Sequence, residues 1–217
     1  MAWTVLARVL AWSKDQGRIA VNVCERGGRL YSGDRSENVW TEDQIARAEA
    51  GLPEHLRRAF ILALWTGQRQ GDLLALPWSA YDGERIELRQ RKTGVRVAIA
   101  AGAPLRTVLD AMPRTCPVIL TSTDGHPWTS DGFRSSWGRA IDRLGIAGVT
   151  FHDLRGTAIT RLADAGCTEA EICSITGHDP GYISNVLGRY LARSAQLAEA
   201  GIRKLERADR ERKPSVL

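Results

Sequence analysis

A chain of 217 residues, 43% of them hydrophobic, can bury one good core, or one core and the remnant of another. Its 30 Lys and Arg against 25 Asp and Glu give a formal charge of +5, which favours polyanionic partners over acidic proteins and neutral ligands. No apolar run approaches the roughly 20 residues of a membrane span, and Met1 is followed by Ala-Trp-Thr rather than by a basic leader. Cys24, Cys116, Cys167 and Cys173 form no CxxC pair and have no histidine at zinc-like spacing, so they read as reduced thiols of a cytoplasmic protein.

Residues 3–14 place Val5, Leu6, Val9 and Leu10 on one helical face, a pattern that makes sense packed against other helices. The chain starts inside this pattern, so residues 1–24 read as the last helix of an N-terminal helical domain whose earlier part is missing. Gly27, Gly28, Ser32, Gly33 and several charges make residues 25–40 a linker. The main domain then runs from 41 to 217. Thr41-Glu-Asp-Gln44 matches a capping box and opens a helix, and a second helix begins near Pro53 and stops at Gly67. Gln68–Leu76 forms a turn and a short helix closed by Pro77.

The hydrophobic period then changes. Ile86 and Leu88 alternate with polar residues, as do Val95, Val97 and Ile99, which predicts a β-hairpin with Lys92-Thr93-Gly94 at its tip. Helices are expected over about 104–112, 130–143, 153–164, 168–175 and 183–207. Val118–Leu120 is a candidate strand, and the basic and acidic run at the end of the chain reads as a solvated tail. The class is therefore α+β, mainly helical.

Cations and histidines concentrate in four segments: Thr66–Leu74 with Arg69 and Asp72, the hairpin tip with Lys92, His152-Asp-Leu-Arg155, and Gly177-His178 followed by Arg189-Tyr190. Singly, each has an ordinary reading: a solvated arginine, a hairpin turn, a capping histidine with an arginine paired to Asp153 or Asp164, a packed tyrosine. Yet the spacing of His152 and Arg155 puts both on one face at a helix start, where backbone N–H groups also favour an anion. His55 and His126 have no partners at useful spacing and read as surface residues.

Taken in order, Arg69 with Asp72, Lys92, His152-x-x-Arg155, Gly177-His178 and Tyr190 resemble the tyrosine recombinase (phage integrase) family, from roughly Thr41 to Arg193. The resemblance implies the tyrosine-recombinase catalytic fold and site-specific DNA recombination through a covalent 3′-phosphotyrosine. Arg69 and Arg155 would clamp the scissile phosphate, as two planar guanidinium groups can. Asp72 would orient Arg69, with a helix cap or surface acid as its plainer reading. Lys92 would protonate the leaving 5′ oxygen; its rival is Arg91, and strand alternation sends the two to opposite faces. His152 and His178 would move the proton of the tyrosine and hydrogen-bond the phosphate, the sequence leaving open which is the base.

Tyr190 would be the nucleophile. The commoner family spacing falls on Leu187, which cannot do this chemistry; Tyr190 fits a longer-spaced subset, and Tyr182 is the fallback. No cofactor and no metal is implied, and the partners are double-stranded DNA and further copies of the chain in a homotetramer. Leu197, Ile202 and Leu205 would bury on a neighbouring subunit or, equally, on the chain's own core. Two alternatives remain: a truncated integrase that binds DNA without recombining it, and a metal-dependent nuclease using His152 and Asp153, which lacks further carboxylates.

Overall fold

The computed structural model describes residues 2–25, 38–191, 199 and 201–206, with Ala2 and residues 189–191 described by backbone alone. The chain divides into two units, Met1–Asp34 and Arg35–Leu217. The first holds helix α1 (Ala2–Asp15), with Lys14 paired to Glu25 at 2.7 Å and Asn22 Nδ2 donating to the Ala7 carbonyl. Its expected apolar stripe is present, with Val5, Leu6 and Val9 exposed beside Trp3 and Trp12. Most of the expected linker lies outside the described residues.

In the second unit, α2 (Glu42–Gly51) starts on the expected capping box, where Thr41 Oγ1 accepts from the Gln44 N–H and Gln44 Oε1 accepts from the Thr41 N–H. Helix α3 (Glu54–Thr66) supplies the centre of the core through Leu56, Phe60, Leu62 and Ala63. It ends on Gly67, whose φ of +61° only glycine adopts without strain. After α4 (Gln70–Leu74) come β1 (Arg85–Arg89) and β2 (Arg96–Ala100), an antiparallel pair with Ile86 opposite Ile99 and Leu88 opposite Val97. Then follow α5 (Ala103–Asp110), α6 (Ser130–Arg143), α7 (Leu154–Asp164), α8 (Glu169–Thr176) and α9 (Pro180–Leu191).

Two expectations change, and a third falls largely outside the described residues. Val118 makes only an isolated bridge to Pro77, because no partner strand extends the pairing. The terminal helix starts at Pro180 rather than 183, since proline is well suited to a first helical turn, and its described length ends at Leu191. Residues 192–198 and the basic tail lie outside the described residues, so Leu197 does too; Ile202 and Leu205 lie on a helical turn, 57% and 58% exposed.

Two apolar clusters hold the site elements. In the first, Trp40, Phe60, Phe133, Trp137 and Phe151 interlock, with Phe151 edge-on to Phe133 and Trp137 at 4.9 Å each. The Trp40 indole N–H donates to the Thr150 carbonyl at 3.0 Å. In the second, Ile159 and Ala163 of α7, Ile172 of α8, and Ile183, Val186 and Leu187 of α9 pack together. Phe133 is fully buried, so Phe133→Ala is expected to cost about 3–5 kcal/mol. Urea unfolding followed by fluorescence measures this, and a loss under 1 kcal/mol would show that the ring stack is not central.

Candidate active site

Local chemistry explains where each cation goes. A 3-10 turn, Phe151–Asp153, precedes α7, and Asp153 fixes it by accepting from the Thr150 N–H and hydroxyl at 2.7 and 2.9 Å. With Phe151 anchored in the aromatic cluster, His152 faces outward and Arg155, on the first turn of α7, faces in. Arg155 is only 5% exposed. Neither Asp153 nor Asp164 pairs with it. Its Nε donates to His178 Nε2 at 2.9 Å, its Nη1 donates to the Gly67 carbonyl, and its Nη2 is buried without a hydrogen-bond partner among the described residues.

Helices α3 and α8 end alike. Thr66-Gly67 and Thr176-Gly177 each bury a threonine whose hydroxyl donates four residues back, to Leu62 and Ile172, and each stop on a left-handed glycine. The glycines turn the chain sharply, so that Gln68-Arg69 leaves one end and His178 leaves the other. Because the Thr176 hydroxyl proton goes to Ile172, its oxygen accepts from His178 Nδ1 at 2.9 Å. His178 is thus a neutral imidazole with its acceptor nitrogen on Arg155. Burial, then the charges of Arg155, Arg69 and His152, push it down to about 3.

Arg69 donates through Nη1 to Gln90 Oε1 at 2.8 Å and lies 4.0 Å from Asp72 Oδ2. Asp72 is buried rather than a surface acid, and its firm bond is to the hairpin, Oδ1 accepting from the Arg91 N–H at 2.9 Å. Gln90 itself was missed in the sequence. It is fully buried, and period-two alternation puts it on the inward face after Ile86 and Leu88, which is the signal that marks it. Lys92 and Arg91 both sit exposed in the turn beyond β1, so the alternation that was to separate them does not apply there.

The charges converge nonetheless. His152 is lowered first by loss of water on its inner side, then by Arg155, Arg69 and Lys92, against the opposing pull of Asp153. Burial and the neighbouring Arg69 lower even Arg155, to about 10, so it stays cationic at neutral pH. The structure therefore brings Arg69, His152, Arg155 and His178 together, with Lys92 near enough to act on His152 and Asp72 4.0 Å from Arg69. Tyr182 stacks on His178 with ring centroids 4.6 Å apart, and Leu187 is buried in the second cluster. Tyr190 lies on the last turn of α9, and its side chain is outside the described residues. His55 is not a plain surface residue, since its ring lies 5.8 Å from that of Trp128; His126 is exposed. The described residues contain no group of three His, Cys, Asp or Glu placed to hold a metal ion, and no helix long and apolar enough to cross a membrane.

A mainly helical unit with one hairpin, built around converging arginines and histidines, has known counterparts. The sequence model of the Phage integrase family matches residues 40–196. The shufflon-specific DNA recombinase of Escherichia coli is 34% identical over 134 residues, 60% of this chain and 33% of that protein. Among solved structures, a lambda integrase dimer bound to a COC′ core site aligns with a TM-score of 0.72 and 26% identity, covering 85% of this chain and 57% of that one. A lambda integrase tetramer bound to a Holliday junction aligns at 0.69 and 26%, covering 82% and 57%. The chain belongs to the phage integrase family of tyrosine recombinases and has the catalytic fold of lambda integrase. It spans only part of the length of these relatives, 33% of one and 57% of the others.

The lowered His178 carries a stability signature. Below pH 6.5 the unfolded chain takes up a proton that the native state refuses until about pH 3, so stability falls as pH drops through this window. Thermal melts at pH 7 and pH 5 are expected to show a larger drop for the wild type than for His178→Gln. Equal drops would mean that His178 is not held neutral.

Proposed function

We propose that this chain is the catalytic part of a site-specific DNA recombinase, cleaving and rejoining strands through Tyr190. The observation that supports this best is the Arg155 guanidinium, buried beside a second arginine with one nitrogen unpartnered among the described residues. A buried charge facing another of like sign is costly unless an anion completes it. A phosphodiester does so, its non-bridging oxygens accepting from Arg155 Nη2 and from Arg69.

The step is an in-line displacement. The Tyr190 oxygen bonds to phosphorus as the bond from phosphorus to the 5′ oxygen breaks, leaving a 3′-phosphotyrosyl ester. One bond of like energy replaces another, so rejoining is the same step reversed and needs no ATP. The phenol proton passes to a neutral histidine, and Lys92 gives a proton to the departing 5′ oxygen. Because the acceptor nitrogen of His178 is already engaged by Arg155, His152 is the better base and His178 a holder of Arg155. Charge on the phosphoryl oxygens is met by the two arginines, so catalysis is mainly positioning and electrostatic stabilisation.

In this reading the substrate is double-stranded DNA in the cytoplasm, and the working assembly is a homotetramer, as in the lambda integrase complex on a Holliday junction. Residues 1–24 belong to a helical DNA-binding domain, joined through residues 25–40 to the catalytic domain. A second reading is DNA binding without recombination, which needs the cationic site but not the Tyr190 step.

A nicked suicide duplex in EDTA distinguishes them. The wild type is expected to give an SDS-resistant protein–DNA adduct, Tyr190→Phe none, and Tyr182→Phe a normal yield. Arg155→Lys is expected to lose the adduct while keeping most salt-sensitive DNA binding, because many phosphate contacts share that term. Retardation of DNA with no adduct from the wild type would leave the binding reading alone. The pH profile tests the base: with His152 lowered, adduct formation should hold down to about pH 6.5, the ordinary histidine value, and decline only below it. A decline that is unchanged in His152→Gln would remove His152 from that role.

A further inference from the structure

The amide of Gln90 makes four hydrogen bonds in a fully buried setting, and they join three separate parts of the site. Its oxygen accepts from Arg69 Nη1 and from the Thr93 hydroxyl, both at 2.8 Å. Its nitrogen donates to Gln68 Oε1 and to the Thr176 carbonyl, also at 2.8 Å. Gln68 in turn donates to the carbonyls of Thr66 and Ile175 at 3.1 and 2.9 Å. One primary amide thus touches an arginine of the clamp, the turn that carries Lys92, and the helix end from which His178 departs.

The packing around it is equally constrained. A Cβ at Gly177 would meet Gln90 Nε2 at 2.5 Å and Val97 Cγ1 at 3.0 Å, so the hairpin seats against a helix end that only glycine leaves open. Asp72 adds a second tie by accepting from the Arg91 N–H. A hydrocarbon at position 90 would fill the volume but leave Gln68 Oε1 and the Thr176 carbonyl without a donor and Arg69 without its acceptor. A carboxylate would face those two oxygens with no proton to give. Only an uncharged group with both a donor and an acceptor satisfies all four neighbours.

We infer that Gln90 is a positioning residue that locks the Lys92 turn to Arg69 and to the end of α8, so that the leaving-group acid and the phosphate clamp come into register together. Gln90 does not touch DNA; it acts through Lys92 and Arg69. This rests on the strand-transfer reading above.

Two measurements on the full chain test it. Adduct formation is followed on suicide duplexes carrying either the ordinary 5′ oxygen or a bridging 5′ sulfur at the scissile position, since a thiolate leaves without needing a proton. Gln90→Met is expected to slow the oxygen duplex about 100-fold, within the range of general-acid effects, and to recover about ten-fold or more with sulfur. Lys92→Ala serves as the control for complete dependence on the acid. In parallel, trypsin cleavage after Arg91 and Lys92 is expected to rise at least five-fold in Gln90→Met at a temperature where global unfolding is negligible, because the turn opens locally. If Gln90→Met does not fold, Thr93→Val, which deletes one donor to the amide, is read by the same two assays.

Equal losses on the two duplexes, or an unaltered cleavage rate, overturn the assignment. A wild type that forms no adduct instead removes the strand-transfer reading, and the trypsin assay then decides alone whether Gln90 anchors the turn.

Discussion

A guanidinium taken out of water has to be surrounded by acceptors, and the arrangement around Arg155 is largely the solution to that demand. Two of its nitrogens are satisfied, one by the Gly67 carbonyl and one by the neutral His178, and among the described residues no carboxylate hydrogen-bonds to it. A carboxylate partner would have cancelled the charge. Neutral acceptors hold the group in place and leave its field intact for an anion, which separates this arginine from a structural ion pair.

The same demand sets the protonation of the site. With Arg155 and Arg69 so near, a second proton on His178 would place three cations in one half-buried space, and the imidazole gives its proton up first. Neutral histidines among charged arginines are then a result of ordinary repulsion and burial rather than of any special group. Asp72 lies 4.0 Å from Arg69, as an orienting acid would, and it has a second part as well. Its bond to the Arg91 N–H fastens the hairpin, while the hydrogen-bond acceptor of Arg69 is Gln90.

Much of this was legible in the sequence where the signal is local. The capping box at Thr41, the stop at Gly67, α6 and the hairpin follow from residue chemistry and period alone, while the hairpin's register came from the structure. The cations and histidines proposed for the site were singled out in the sequence too, because their order along the chain resembles a known family. Gln68 and Gln90 were not found. Glutamine is common on surfaces, and its burial here depends on a partner 107 residues away in one case and 86 in the other, which no window along the chain contains. The strand expected at Val118–Leu120 failed for a related reason: three apolar residues mark burial, whereas a strand also needs a neighbour of matching length.

The two Thr-Gly helix ends have a further meaning. Each helix finishes with carbonyls that its own turns cannot satisfy, and both ends carry partial negative charge. Arg155 takes the carbonyl of Gly67, Gln68 those of Thr66 and Ile175, and Gln90 that of Thr176. The side chains that shape the site therefore also close off α3 and α8, and the dipoles of those helices favour the cations gathered between them. Side chains that shape the site and bonds that finish the helices are one set, so drift at these positions loosens the ends of α3 and α8 and the site together.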